Sequence, residues 1–153
     1  MTRLSRAVKP ESLDKVPQVV YYQGGVGSEG SIIDRILGGA TAQGISENIR
    51  EGYEFIATNY ARGDEIYLVG FSRGAFTARS IAGMIGGIGL LTKDGLPYLA
   101  EVFQDFEHRM DPHYVSAYPD VPFRDKPSAS DPLYVEELER VIMSCSNLDH
   151  KLG

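Results

Sequence analysis

Five consecutive residues, Gly70-Phe71-Ser72-Arg73-Gly74, carry the most specific chemical signal in the sequence. They spell G-x-S-x-G, between the apolar run Glu65-Ile66-Tyr67-Leu68-Val69 and a stretch of helical character. In a nucleophile elbow, a sharp turn lifts a serine hydroxyl clear of the backbone. The same turn crowds the flanking positions, which glycine relieves because it has no Cβ. The pattern therefore makes Ser72 a candidate nucleophile and Gly70 and Gly74 the residues that shape its turn. The N–H of Arg73, at the start of a helix, becomes a candidate donor to an oxyanion. A plainer alternative is a Gly-rich turn whose serine only caps the helix.

A serine alcohol at its ordinary pKa is a poor nucleophile; it needs a base, which an acid in turn orients. Three histidines follow Ser72: His108, His113 and His150. His108 sits in Glu107-His108-Arg109, on a helix whose apolar face is elsewhere, and reads as solvated. His150 falls in a polar tail. His113, in the loop Asp111-Pro112-His113-Tyr114, is the candidate base, with Asp94, Asp120 and Asp131 as loop carboxylates that could orient it. No convincing strand follows residue 70 to carry acid and base loops, so the triad reads as incomplete and the chain alone as weak or inactive. Arg73 and Arg79 invite a phosphate-anchoring role, but for Arg79 a surface pair with a carboxylate is the preferred reading.

Gly25-Val26-Gly27-Ser28-Glu29-Gly30 matches the dinucleotide fingerprint G-x-G-x-x-G. That fingerprint needs an acidic residue about 20 residues on, at the end of the next strand. Glu51 stands at that distance but in the middle of a helix, so a crossover loop is the better reading. A P-loop ending is also missing. Cys145 is the sole cysteine, which rules out a disulfide framework. The spacing of His, Cys, Asp and Glu implies no metal, and no organic cofactor is expected. The net charge of −6 argues against a nucleic-acid partner. No apolar run approaches the ~20 residues of a membrane span, and the N-terminus lacks a signal-peptide core. The expectation is a cytoplasmic domain of 153 residues, enough for one core.

The elements that must position the serine follow from periodicity. Residues 4–8 read as a helix end stopped by Pro10, and Gln18-Val19-Val20-Tyr21-Tyr22 as a buried strand. A short helix is expected at residues 31–37. Ile45, Ile49, Tyr53, Ile56, Ala57 and Tyr60 recur at helical spacing, with Ser46 a candidate cap. Residues 65–70 read as a second strand, and strand, helix, strand makes a βαβ crossover with parallel strands. A helix with small residues follows, from about 74 to 85. Residues 96–110 and 134–143 read as amphipathic helices, separated by a loop holding five prolines.

Tyr22-Gln23-Gly24-Gly25-Val26-Gly27, Asn48-Ile49-Arg50-Glu51-Gly52-Tyr53, Gly63-Asp64-Glu65-Ile66 and the decapeptide from Gly70 to Arg79 together resemble one family. It is an uncharacterised α/β-hydrolase-like family that includes the phospholipase effectors of type VI secretion systems and many fungal proteins. The resemblance spans roughly residues 2–106. It implies an α/β-hydrolase fold, Ser72 as nucleophile, and ester or phospholipid substrates. The family opens with a strand and an Asp-Gly-Thr turn and continues past the serine with a Trp-Asp-Thr strand and a histidine loop. This sequence lacks both and contains no tryptophan, so it resembles an internal piece of the family domain. The expected fold class is α/β: a single incomplete domain over residues 1–153, with an α/β part to about 90 and a helical and loop part from about 91. Two strands are few for a doubly wound sheet, so apolar surface is expected to stay exposed, leaving three alternatives: a chain unstable alone, pairing with a second copy through a strand edge, or a completing partner chain. A non-catalytic, interaction-only protein is the alternative to the ester hydrolase.

Overall fold

A computed structural model describes residues 2–24 and 40–142. Through them run helices α1 (Thr2–Ala7), α2 (Ala40–Asn59), α3 (Arg73–Ile88), α4 (Leu99–His108) and α5 (Pro132–Ile142), with a 3-10 turn, Leu96–Tyr98, leading into α4. The Gly-rich loop 25–30, the helix expected at 31–37, Cys145 and His150 lie outside the described residues.

Each long helix forms where the apolar spacing placed it, because each has a stripe to bury. In α2 the stripe is centred on Ile49 and Tyr53, both buried. The helix begins at Ala40, before the stripe, so Ser46 lies inside it and is not its cap. Its hydroxyl instead donates to Glu107 Oε1 of α4 at 3.2 Å. In α3, Thr77, Ile81, Met84 and Ile88 face inward. The two helices approach closely at Gly52, where a Cβ would stand 2.7 Å from Ile81 Cδ1. α4 contributes Leu99, Val102, Phe103 and Phe106, and α5 contributes Tyr134, Leu138 and Ile142. These side chains form one hydrophobic cluster with Leu90 and Leu91.

Polar contacts fix the connections around that cluster. The fully buried Tyr53 donates its hydroxyl proton to Gly89 O at 2.8 Å and accepts from Leu91 N at 3.0 Å. It thereby satisfies the backbone where the chain leaves α3. Burial pushes the Tyr53 phenol well above its ordinary value, and the Leu91 N–H offsets this only in part. At the far end, Ile142 O accepts from both the amide and the hydroxyl of Thr92, each at 2.9 Å. That pair ties the last turn of α5 to the turn before α4.

The α/β expectation is overturned. Among the described residues there is no β-strand; the bridge whose two ends are both described is antiparallel, between Glu11 and Pro17. The βαβ crossover is therefore absent, and about half of the described chain is helical. Gln18–Tyr22 and Glu65–Val69 have the residue types of strands but neither pairs with the other. β-propensity records how side chains suit a pleated, half-buried surface; it does not supply the neighbouring strand. Without one, both segments turn apolar side chains outward: Val19 is 74% exposed, Tyr67 81% and Val69 64%. The irregular, proline-rich connection expected between the last two helices is present.

Candidate functional site

The turn from residue 70 to 74 holds the clearest backbone anomaly in the described chain. Ser72 has φ 55° and ψ −122°, immediately before α3. Positive φ is uncommon for a residue with a Cβ, and this ψ also lies outside the left-handed helical well. Such a conformation costs on the order of 1–3 kcal/mol and persists only where the surroundings impose it. One of those surroundings is Gly70. A Cβ built there would run into the carbonyl of Gly74 and the amide of Ala75. Only glycine fits that position. Gly74 differs, since a Cβ there would meet nothing within 4 Å.

The turn is closed by hydrogen bonds from Gly74 N to Phe71 O and from Ala75 N to Ser72 O, both 3.0 Å. Ser72 makes no side-chain capping bond to the helix, so the alternative of an ordinary capping serine is not what the structure contains. The serine is exposed. It stands in an open cleft of about 440 Å³ that is also lined by Leu68, Gly70 and, from α3, Ala75, Phe76, Ala78 and Arg79. Arg73 is the first residue of α3, so its backbone N–H belongs to the positive end of the helix.

Neither histidine nor carboxylate lines this cleft among the described residues. His113 is exposed in the loop after α4, where its amide donates to Asp111 Oδ1 at 2.9 Å. His108 is also exposed: Nδ1 lies 2.9 Å from Gln104 O, and the ring stacks on Tyr114 with 4.6 Å between centroids. Of the candidate acids, Asp94 and Asp120 are exposed. Asp131 caps α5, its Oδ1 accepting from Leu133 N at 2.9 Å. Arg79 is exposed, and among the described residues it has neither of the ion pairs found there, Lys126–Asp105 and Arg140–Glu137. The carboxylate partner expected for it is not found among the described residues.

One constellation has no forerunner in the sequence reading. Asp105 of α4, only 1% exposed, accepts from Lys126 Nζ at 2.6 Å and from the hydroxyls of Tyr114 and Tyr134 at 3.0 Å each. Lys126 also donates to Ser116 Oγ at 3.0 Å. Burial, reinforced by the Asp105 charge, pushes the Tyr134 phenol far above its ordinary value and raises Tyr114 in the same direction. Three donors, two from the loop after α4 and one from α5, satisfy one buried carboxylate. This is a structural tie, since every oxygen of Asp105 is occupied. A second cleft of about 310 Å³, lined on α2 by Glu47, Arg50, Glu51 and Glu54, holds no nucleophile. No group of three or more potential metal ligands converges among the described residues. No described helix is long and apolar enough to cross a membrane.

The chain has recognisable relatives in sequence. It is 34% identical over 120 residues to the uncharacterized protein YEL023C of Saccharomyces cerevisiae, an alignment covering 67% of this chain. That alignment covers only 17% of the yeast protein, so the chain spans about a sixth of the length of this relative. No solved structure matches it significantly. A family model described as "T6SS, Phospholipase effector Tle1-like, catalytic domain" matches residues 1–143. With nearly the whole sequence accounted for by that match, the chain belongs to the family of Tle1-like catalytic domains of type VI secretion phospholipase effectors.

Proposed function

We propose that this chain carries the nucleophile of a phospholipase-like carboxylic-ester hydrolase, and that the nucleophile is Ser72. The observation that carries the reading is the backbone of Ser72, held at positive φ beside a glycine that no other residue could replace. Strain of this kind clusters at functional sites. In the reaction, Ser72 Oγ attacks the ester carbonyl and the oxygen gains negative charge. The Arg73 N–H, supported by the α3 dipole, stabilises that charge. Collapse breaks the bond to the alcohol portion, which leaves with the proton given up by Ser72 and relayed through solvent; the acyl-serine that remains is hydrolysed by water. Ester-linked phospholipids are the substrate class that the family membership supports.

The base is the weak half of the site. Since the cleft holds no histidine or carboxylate among the described residues, Ser72 reacts slowly as an unassisted alcohol. His113, exposed and outside the cleft lining, is not assigned to this role. The same observation favours a second reading, in which the protein keeps the turn but serves as a non-catalytic interaction domain.

Labelling of the purified chain with a fluorophosphonate probe separates the two, with circular dichroism to confirm folding. Ser72 displaces fluoride and becomes phosphonylated. Expected is slow labelling, abolished in Ser72→Ala and unchanged in His113→Ala. A folded chain that labels no faster than Ser72→Ala overturns the hydrolase reading and leaves the interaction domain.

A further inference from the structure

Ser72, Ala75, Phe76 and Arg79 stand at i, i+3, i+4 and i+7, so they share one face of α3. That face is one wall of the Ser72 cleft. Among the described residues lining the cleft, Arg79 is the sole charged one, in a protein whose net charge is −6. A lone cation in an otherwise neutral wall of an acidic protein is a local preference for anions. Among the described residues, neither ion pair uses it.

Seven residues of helix place Arg79 about 10 Å along the axis from Ser72. The Cα–Cβ bonds of a helix tilt toward its N-terminus, so the Arg79 side chain leans back over Ala75 toward the serine. Ala75 leaves the space between them open. Phe76, about half exposed on the same face, offers an apolar surface beside it. An ester carbonyl at Ser72, a glycerol over Ala75, a phosphate at the Arg79 guanidinium and an acyl chain against Phe76 match the order of groups in a glycerophospholipid.

We propose that Arg79 is the phosphate anchor of this cleft, positioning the phosphodiester of a glycerophospholipid while its ester lies at Ser72. The proposal rests on the Ser72 reading for the ester but not for the phosphate. A guanidinium holds phosphate oxygens through two parallel N–H bonds, which an ammonium cannot reproduce.

The test is equilibrium binding to the full chain in a Ser72→Ala background, where nothing turns over. Three probes are compared: dihexanoylphosphatidylcholine as monomers, dihexanoylglycerol and inorganic phosphate. Expected is about fivefold tighter binding of the phospholipid than of the glyceride, the upper end for a solvent-exposed ion pair. Arg79→Gln removes the difference, and Arg79→Lys keeps only part of it. A phospholipid preference undiminished in Arg79→Gln overturns the proposal. Inorganic phosphate binding as tightly as the phospholipid also overturns it, by assigning the cation to free phosphate. Failure of fluorophosphonate labelling alone would remove the nucleophile and leave the anchor standing.

Discussion

At the scale of single residues, the turn around Ser72 separates two glycines that the motif treats as equals. Gly70 faces the backbone of Gly74 and Ala75 with no room for a methyl group, whereas Gly74 faces open space. Gly70→Ala must therefore move backbone. Its expected cost is about 1–3 kcal/mol, the range for an overpacked site, together with loss of Ser72 labelling. Gly74→Ala exchanges glycine for a better helix former near the start of α3 and should be neutral or slightly stabilising, by up to about 1 kcal/mol. Urea denaturation of the two variants checks the asymmetry; equal losses would contradict it. A sharp turn ahead of α3 was legible in sequence because the G-x-S-x-G spacing is local and its meaning is a backbone conformation. Which of the two glycines is indispensable was not legible, since that depends on where the first turn of α3 folds back.

Among the elements, the helices were readable and the strands were not, for one physical reason. An amphipathic helix satisfies its own backbone and announces its buried face at 3.6-residue spacing, as Ile49, Tyr53 and Ile56 do in α2. A strand is completed only by another strand, and residues 65–69 find none among those described. Asp105 escaped notice for a related cause. Its partners Tyr114, Lys126 and Tyr134 lie 9, 21 and 29 residues away, across a proline-rich loop with no period to read. The Asp105–Lys126 pair holds that loop against α4 and α5, and both side chains are 1% exposed. Removing one partner strands the other charge in the interior, so Asp105→Asn should cost about 3–5 kcal/mol. The double variant Asp105→Leu/Lys126→Met should recover part of that loss. A double variant no more stable than Asp105→Asn would show that the loop relies on the tyrosine hydroxyl bonds more than on the charges.

For the whole molecule, the buried phenols predict how stability varies with alkaline pH. Tyr53 and Tyr134 are both held protonated by burial, and Tyr114 is shifted the same way. Their pKa values are raised in the folded state, so the unfolded chain releases its protons first as pH climbs. The folded state then binds more protons than the unfolded one, and stability falls with rising pH. The contribution is intact below the ordinary tyrosine value of 10.0 and is lost above it. The urea midpoint should stay level to about pH 9 and decline from about pH 10, less steeply in Tyr134→Phe. A midpoint that rises through this range would reverse the sign.

The two bonds from Thr92 to Ile142 O, and the seating of Tyr134, Leu138 and Ile142 in the common core, have a consequence for synthesis on the ribosome. Helices α2, α3 and α4 emerge first, but the wall that closes over them is the last described helix. Until about residue 142 has cleared the exit tunnel, that apolar surface has nothing to cover it, and a nascent chain paused earlier offers it to chaperones instead.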